Sequence, residues 1–172
     1  MKNTAAVLLV LCLALLSPAL AGAEENAILT IRAALEEAWN KAPLTVQNVT
    51  FITEPPQAYG MYQPVKKAVF ESIDPILLYC EPMGYTVTKK GEFFHIALAA
   101  DFSVLNKDGQ ALGGQNNFYQ WKTKSRAFST EFVMYFTFNL KGLPSGEYTL
   151  RIVLRDENSS KVTSFDKKLT IS

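Results

Sequence analysis

The chain has 172 residues, 48% of them hydrophobic, with 17 Lys+Arg, 16 Asp+Glu and a single His. Its 11 Phe, 7 Tyr and 2 Trp are far too many for a disordered chain, so one packed domain is expected. A formal net charge of +1 supplies no basic surplus for neutralising several phosphates, and nucleic acid is not expected as a partner.

Residues 1–23 combine Lys2, the apolar run Ala5 to Leu16, a Ser17-Pro18 break and the small-residue ending Ala21-Gly22-Ala23. This is the pattern of a cleavable secretory signal peptide, bacterial in its compactness. The run is about 12 residues, short of the roughly 20 that cross a bilayer, and none of that length follows. The mature chain is therefore expected without a transmembrane segment, in the periplasm or outside the cell. Cleavage after Ala23 makes Glu24 the first mature residue; cleavage after Ala21 satisfies the same small-residue rule. The segment takes with it Lys2 and no acid, which leaves equal numbers of basic and acidic residues. It also takes Cys12, whose preceding Leu11 departs from the small residue that bacterial lipoprotein signals place there. Cys80 then stands alone, so no internal disulfide can form. Its place in Ile76-Leu77-Leu78-Tyr79-Cys80 reads as a buried thiol, the alternative being a reactive or intermolecular one. Asn48-Val49-Thr50 and Asn158-Ser159-Ser160 match the glycosylation acceptor pattern, which matters only in a eukaryotic secretory route.

Residues 24–43 are expected to form a short amphipathic N-terminal helix, because Ile28, Ile31, Leu35, Ala38 and Trp39 fall on one stripe and Pro43 ends it. Such a stripe suits a lid on the domain or a partner contact better than a membrane surface, which selects more Lys and Arg. From residue 44 to 172 the period changes to two. Strands are expected over Val46 to Thr53, at Val69-Phe70, over Ile76 to Glu81, and over Glu92 to Leu105. The last is the clearest, with Phe94, Ile96, Leu98, Ala100, Phe102 and Val104 on one face. Asp108-Gly109 supplies a tight hairpin turn to its partner. Phe132 to Leu140 and Tyr148 to Leu154 follow, joined by the turn Leu143-Pro144-Ser145-Gly146, and the chain returns through Val162, Phe165, Leu169 and Ile171. About seven or eight antiparallel strands without intervening helices imply an immunoglobulin-like β-sandwich.

Catalytic and metal-binding sets are not evident. His95 shares a strand face with Ala97, Ala99, Asp101 and Ser103, but six residues of strand separate His95 and Asp101 by roughly 20 Å, too far for a dyad. One His and one Cys do not make a zinc site without carboxylates. Asp101, Asp108, Asp156 and Glu157 lack the loop spacing of a calcium site, and Gly113-Gly114 has no following Lys and no helix, so it marks a bulge or bend rather than a phosphate cradle. No cofactor is expected.

Two segments stand out as candidate binding surfaces. Gln115 to Arg126 mixes amides, three cations and the aromatics Phe118, Tyr119 and Trp121; its period leaves open which face is the core. Tyr59-Gly60-Met61-Tyr62 places three large side chains in a loop between proline-bearing pieces, suited to recognition or to covering an open sandwich end. The candidate binding residues are Tyr59, Met61, Tyr62, Tyr119 and Trp121.

The run Phe70 to Pro82, the hairpin Phe102 to Gly109, Gly114-Gln115-Asn116-Asn117-Phe118 and Leu143-Pro144-Ser145-Gly146-Glu147-Tyr148 with Leu154-Arg155-Asp156 resemble a family of uncharacterised secreted β-sandwich proteins of proteobacteria. The resemblance covers most of the mature chain and implies no reaction, cofactor or ligand. The expected function is a non-enzymatic exported module that binds a protein or cell-envelope partner. The alternatives are a small hydrolase built around His95 with a carboxylate, Ser or Cys80 from elsewhere, and an assembly accessory that pairs through a sheet edge.

Overall fold

The computed structural model describes residues 17–172, with side chains from Asn26 onward. Lys2, the apolar run Ala5 to Leu16 and Cys12 lie outside the described residues. The chain divides into two compact units between Ala38 and Trp39.

A helix, α1, spans Ser17–Lys41, beginning ahead of the expected 24–43 segment and running through Ala23. Pro18 sits in its first turn, where a missing N–H removes no intrahelical bond. Within the first unit Ile28, Ile31 and Leu35 are exposed. The last turn of α1 belongs to the second unit. There Trp39 packs edge-on against Tyr85 at 5.1 Å, and the Asn40 Oδ1 accepts the Val87 N–H at 2.8 Å.

The second unit is mainly β. Its strands are β1 (Thr45–Ile52), β2 (Val69–Phe70), β3 (Ile76–Met83), β4 (Thr88–Lys90), β5 (Phe93–Asn106), β6 (Ala111–Ser125), β7 (Met134–Phe138), β8 (Gly146–Asp156) and β9 (Val162–Ile171). One sheet has the order β1-β3-β7. The other runs β2-β9-β8-β5, with β6 along one edge of β5 and β4 continuing the edge that β8 occupies. Pairing is antiparallel except for β2, which lies parallel to β9. Of these strands only β4 was not expected, since three residues are too few to display an alternation.

The two sheets share one apolar core, consistent with a β-sandwich. Ile76, Leu78 and Cys80 of β3 and Met134, Phe136 and Phe138 of β7 meet Ile96, Leu98 and Ala100 of β5 and Leu150, Ile152 and Leu154 of β8. Alternation produces this directly: on β8 the even positions Tyr148 to Leu154 are buried and the odd positions face outward. Cys80 is wholly buried, and burial, with the neighbouring Glu81 carboxylate second, pushes its thiol far above the ordinary range. Such a thiol is inert as a nucleophile at neutral pH.

Two glycines are dictated by close approach. A Cβ on Gly84, whose φ is +68°, would stand 2.2 Å from the Pro43 carbonyl oxygen, and one on Gly114 would stand 2.3 Å from that of Phe102. No side chain fits either place. The Gly113-Gly114 pair is itself in step with Val104 and Ser103 and lies between two irregularities in the β5–β6 register.

Candidate binding surface

The end of β1 leads into an irregular hairpin that positions Tyr59, Met61 and Tyr62. Its arms are tied by the Thr53 N–H on the Gln63 carbonyl at 3.0 Å and the Val65 N–H on the Phe51 carbonyl at 2.9 Å. The tip is a four-residue turn, Ala58 to Met61, closed by the Met61 N–H on the Ala58 carbonyl at 3.0 Å. Gly60, at its third position, has φ +71°, the left-handed geometry that a type II turn needs there.

This hairpin lies over β3. The Gly60 N–H donates to the Tyr79 hydroxyl at 2.9 Å, and that hydroxyl donates to Glu81 Oε1 at 2.6 Å. The other carboxylate oxygen accepts the Asn48 amide at 2.6 Å. Asn48 reaches it from a bulge in β1, where its φ is +49°. Above this chain of bonds the Tyr62 ring lies on the Tyr79 ring with centroids 4.1 Å apart. Tyr79 and Glu81 are thereby buried although they point away from the core between the sheets. Burial raises the Tyr79 phenol far above its usual range, the Glu81 carboxylate adding to it, and the same two causes raise Tyr59.

Among the hairpin's large hydrophobic side chains, Tyr59 is 38% exposed and Met61 55% exposed. Beside them is a shallow cavity of about 220 Å³, walled by Glu54, Pro55, Gln57, Met61 and Tyr62. The loop thus covers an outward-facing patch of its sheet with one side and presents an aromatic ring and a thioether with the other.

Tyr119 and Trp121 are placed differently. The register sets Tyr119 opposite Ala100 and Trp121 opposite Leu98, so both turn toward the core. Trp121 lies on Phe132 with centroids 3.9 Å apart, and Tyr119 meets Phe136 edge-on at 5.3 Å. Phe118 should face the other way by alternation. It also turns inward, against Phe102 at 4.8 Å and Phe136 at 5.2 Å, because β6 carries extra residues between Gln115 and Tyr119 and Asn117 adopts φ +50°. The bulge is held by the Asn117 N–H on Asp101 Oδ1 at 2.6 Å and by Arg155, which pairs with Asp101 and donates to the Asn117 side chain. Burial acts to raise the Asp101 carboxyl, but the Asn117 amide and Arg155 outweigh it and the net shift is downward.

The other polar candidates are separately engaged. Asp156 is buried and accepts from the Thr86 N–H, the Asn158 N–H and the Ser159 hydroxyl at 2.6–2.9 Å. The Asn158 amide donates to the carbonyls of Thr86 and His95. Among the described residues no side chain hydrogen-bonds to the His95 imidazole, and no three His, Cys, Asp or Glu lie close enough together to hold a metal ion. Sequence reasoning missed the Tyr79–Glu81 pair that anchors the hairpin. Its one trace was a carboxylate at the end of an apolar run.

No protein-family model matches the chain, and no curated protein sequence is significantly similar to it.

Proposed function

We propose that this chain is an exported, non-enzymatic binding module of immunoglobulin-like topology that engages a protein or cell-envelope partner through Tyr59, Met61 and Tyr62. The observation that carries the reading is the pinned hairpin: two exposed large side chains stand on a turn locked from beneath by Tyr79 and Glu81. Rings held in place before binding lose little freedom on contact, which is how aromatic anchors yield affinity. The immunoglobulin-like assignment is supported by the strand order and by β2, which follows β1 of the first sheet in the chain but lies in the second, parallel to its last strand β9. It is supported further by the Tyr148 hydroxyl, which donates to the Pro144 carbonyl at 2.7 Å in the manner of a tyrosine corner. Export rests on the signal-like residues 1–23.

The rival readings draw less from the geometry. A hydrolase at His95 has no side chain hydrogen-bonded to its ring among the described residues. Pairing through a sheet edge meets bulges in both β1 and β6, devices that blunt an edge. The test is affinity purification of the tagged chain from its own cell envelope beside a Tyr59→Ala/Met61→Ala variant. The reading expects a partner retained by the unaltered chain and lost by the variant at equal abundance; a partner kept by the variant overturns it.

A further inference from the structure

A second cavity, of about 570 Å³, lies between β2, the start of β8, the end of β9 and the β5–β6 turn. Lysines border it from three separate segments: Lys67 ahead of β2, Lys107 in the turn and Lys168 on β9, with Glu147 the one acid among its lining residues. The ladder explains why they converge. Thr149 stands opposite Lys168, and Thr170 stands between Glu147 on one side and Val69 on the other. Asn106 is paired with Tyr148, so Lys107, next in the chain, leaves β5 beside Glu147. Lys67 lies two residues ahead of Val69. These outward positions alternate with the buried Tyr148, Leu150, Leu169 and Ile171.

Among the described residues none of the three ammonium groups is in an ion pair or donates a hydrogen bond, and the Thr149 and Thr170 hydroxyls are equally uncommitted. Like charges gathered around one cavity repel one another. Three lysines against one glutamate leave two positive charges uncompensated among the cavity's lining residues, in a chain whose basic and acidic residues are nearly equal in number overall. A phosphate monoester carries about −1.5 to −2 charges at neutral pH and three acceptor oxygens.

We propose that this cavity binds a phosphate-bearing anion, its oxygens taking hydrogen bonds from Lys67, Lys107, Lys168 and the two threonine hydroxyls, with Ala68 and Val69 flanking the rest of the ligand. The site is independent of the Tyr59 hairpin. The phosphate could belong to a free anion or to a lipid headgroup, so the experiment has two arms: inorganic phosphate followed by amide chemical shifts, and co-sedimentation with phosphatidylcholine vesicles containing phosphatidic acid. Saturable shifts at Val69, Thr149, Lys168 and Thr170 assign a free anion; sedimentation with acidic vesicles and no saturable response to phosphate assigns a headgroup. In either arm Lys67→Gln/Lys168→Gln weakens binding about tenfold or more, the loss of charge-assisted hydrogen bonds, while Glu147→Gln strengthens it. Lys122→Gln/Lys124→Gln, which removes two exposed cations of β6, leaves it unchanged. Absence of binding in both arms overturns the proposal, as does equal weakening in the Lys122/Lys124 variant, which would reduce the effect to general charge attraction.

Discussion

The two aromatic segments, Tyr59 to Tyr62 and Phe118 to Trp121, are alike in composition and opposite in use. In the first, the backbone is fastened to a buried Tyr79–Glu81 pair and Tyr59 and Met61 are left facing water. In the second, strand register and a bulge turn all three rings inward onto β7 and Phe132. An aromatic run is thus a core or a surface according to what the neighbouring strands offer, and its own sequence does not decide.

The contrast can be broken most forcefully at Trp121. Trp121→Ala removes a partly buried ring stacked on Phe132 and should cost about 3 kcal/mol of stability in urea unfolding, toward the low end for loss of a large aromatic side chain. Next in size is Tyr79→Phe. It deprives Glu81 of a donor and the Gly60 N–H of its acceptor while keeping the ring under Tyr62, for an expected loss of about 2 kcal/mol. Hydrogen exchange at Gly60 should accelerate with it. Asn117→Ala should cost about 1–2 kcal/mol, since alanine tolerates φ +50° poorly, and Asn117→Gly should recover part of that. Tyr59→Ala, by comparison, should cost no more than about 1 kcal/mol, since the ring is 38% exposed and its hydroxyl interacts with Glu81.

A pH series sharpens the same comparison at the bulge. The folded Asp101 carboxyl titrates below its unfolded value of about 3.9. The unfolded chain therefore binds more protons as pH falls, and the stabilisation present above about pH 4 is lost as acid reaches the folded value. Asp101→Asn should flatten the fall of the urea midpoint between about pH 5 and 3; an unchanged slope would remove the carboxylate from the account of the bulge.

Alternation made β5 and β8 legible in the sequence, because six apolar residues at every second position of β5 and four on β8 define a buried face without help from tertiary context. β4 was not legible at three residues. The inward turn of Phe118 was hidden as well, since it depends on a left-handed Asn117 held by Asp101 and Arg155 from other strands. The loop at Tyr59 could be marked as a candidate from its composition. Its anchor could not, because the contact of Gly60 with Tyr79 spans 19 residues and exists only once β1 and β3 have paired. The same holds for the lysine cavity, whose three cations are scattered from residue 67 to residue 168.

The central claim, that the pinned hairpin is the surface presented to a partner, is tested most directly by site-specific photocrosslinking in the native cell envelope, with the crosslinker placed in turn at positions 59 and 120. Gln120 is exposed on β6 and serves as the comparison. The account predicts a discrete crosslinked product from position 59 and none from position 120. A product from position 120 alone, or from neither position, would contradict it.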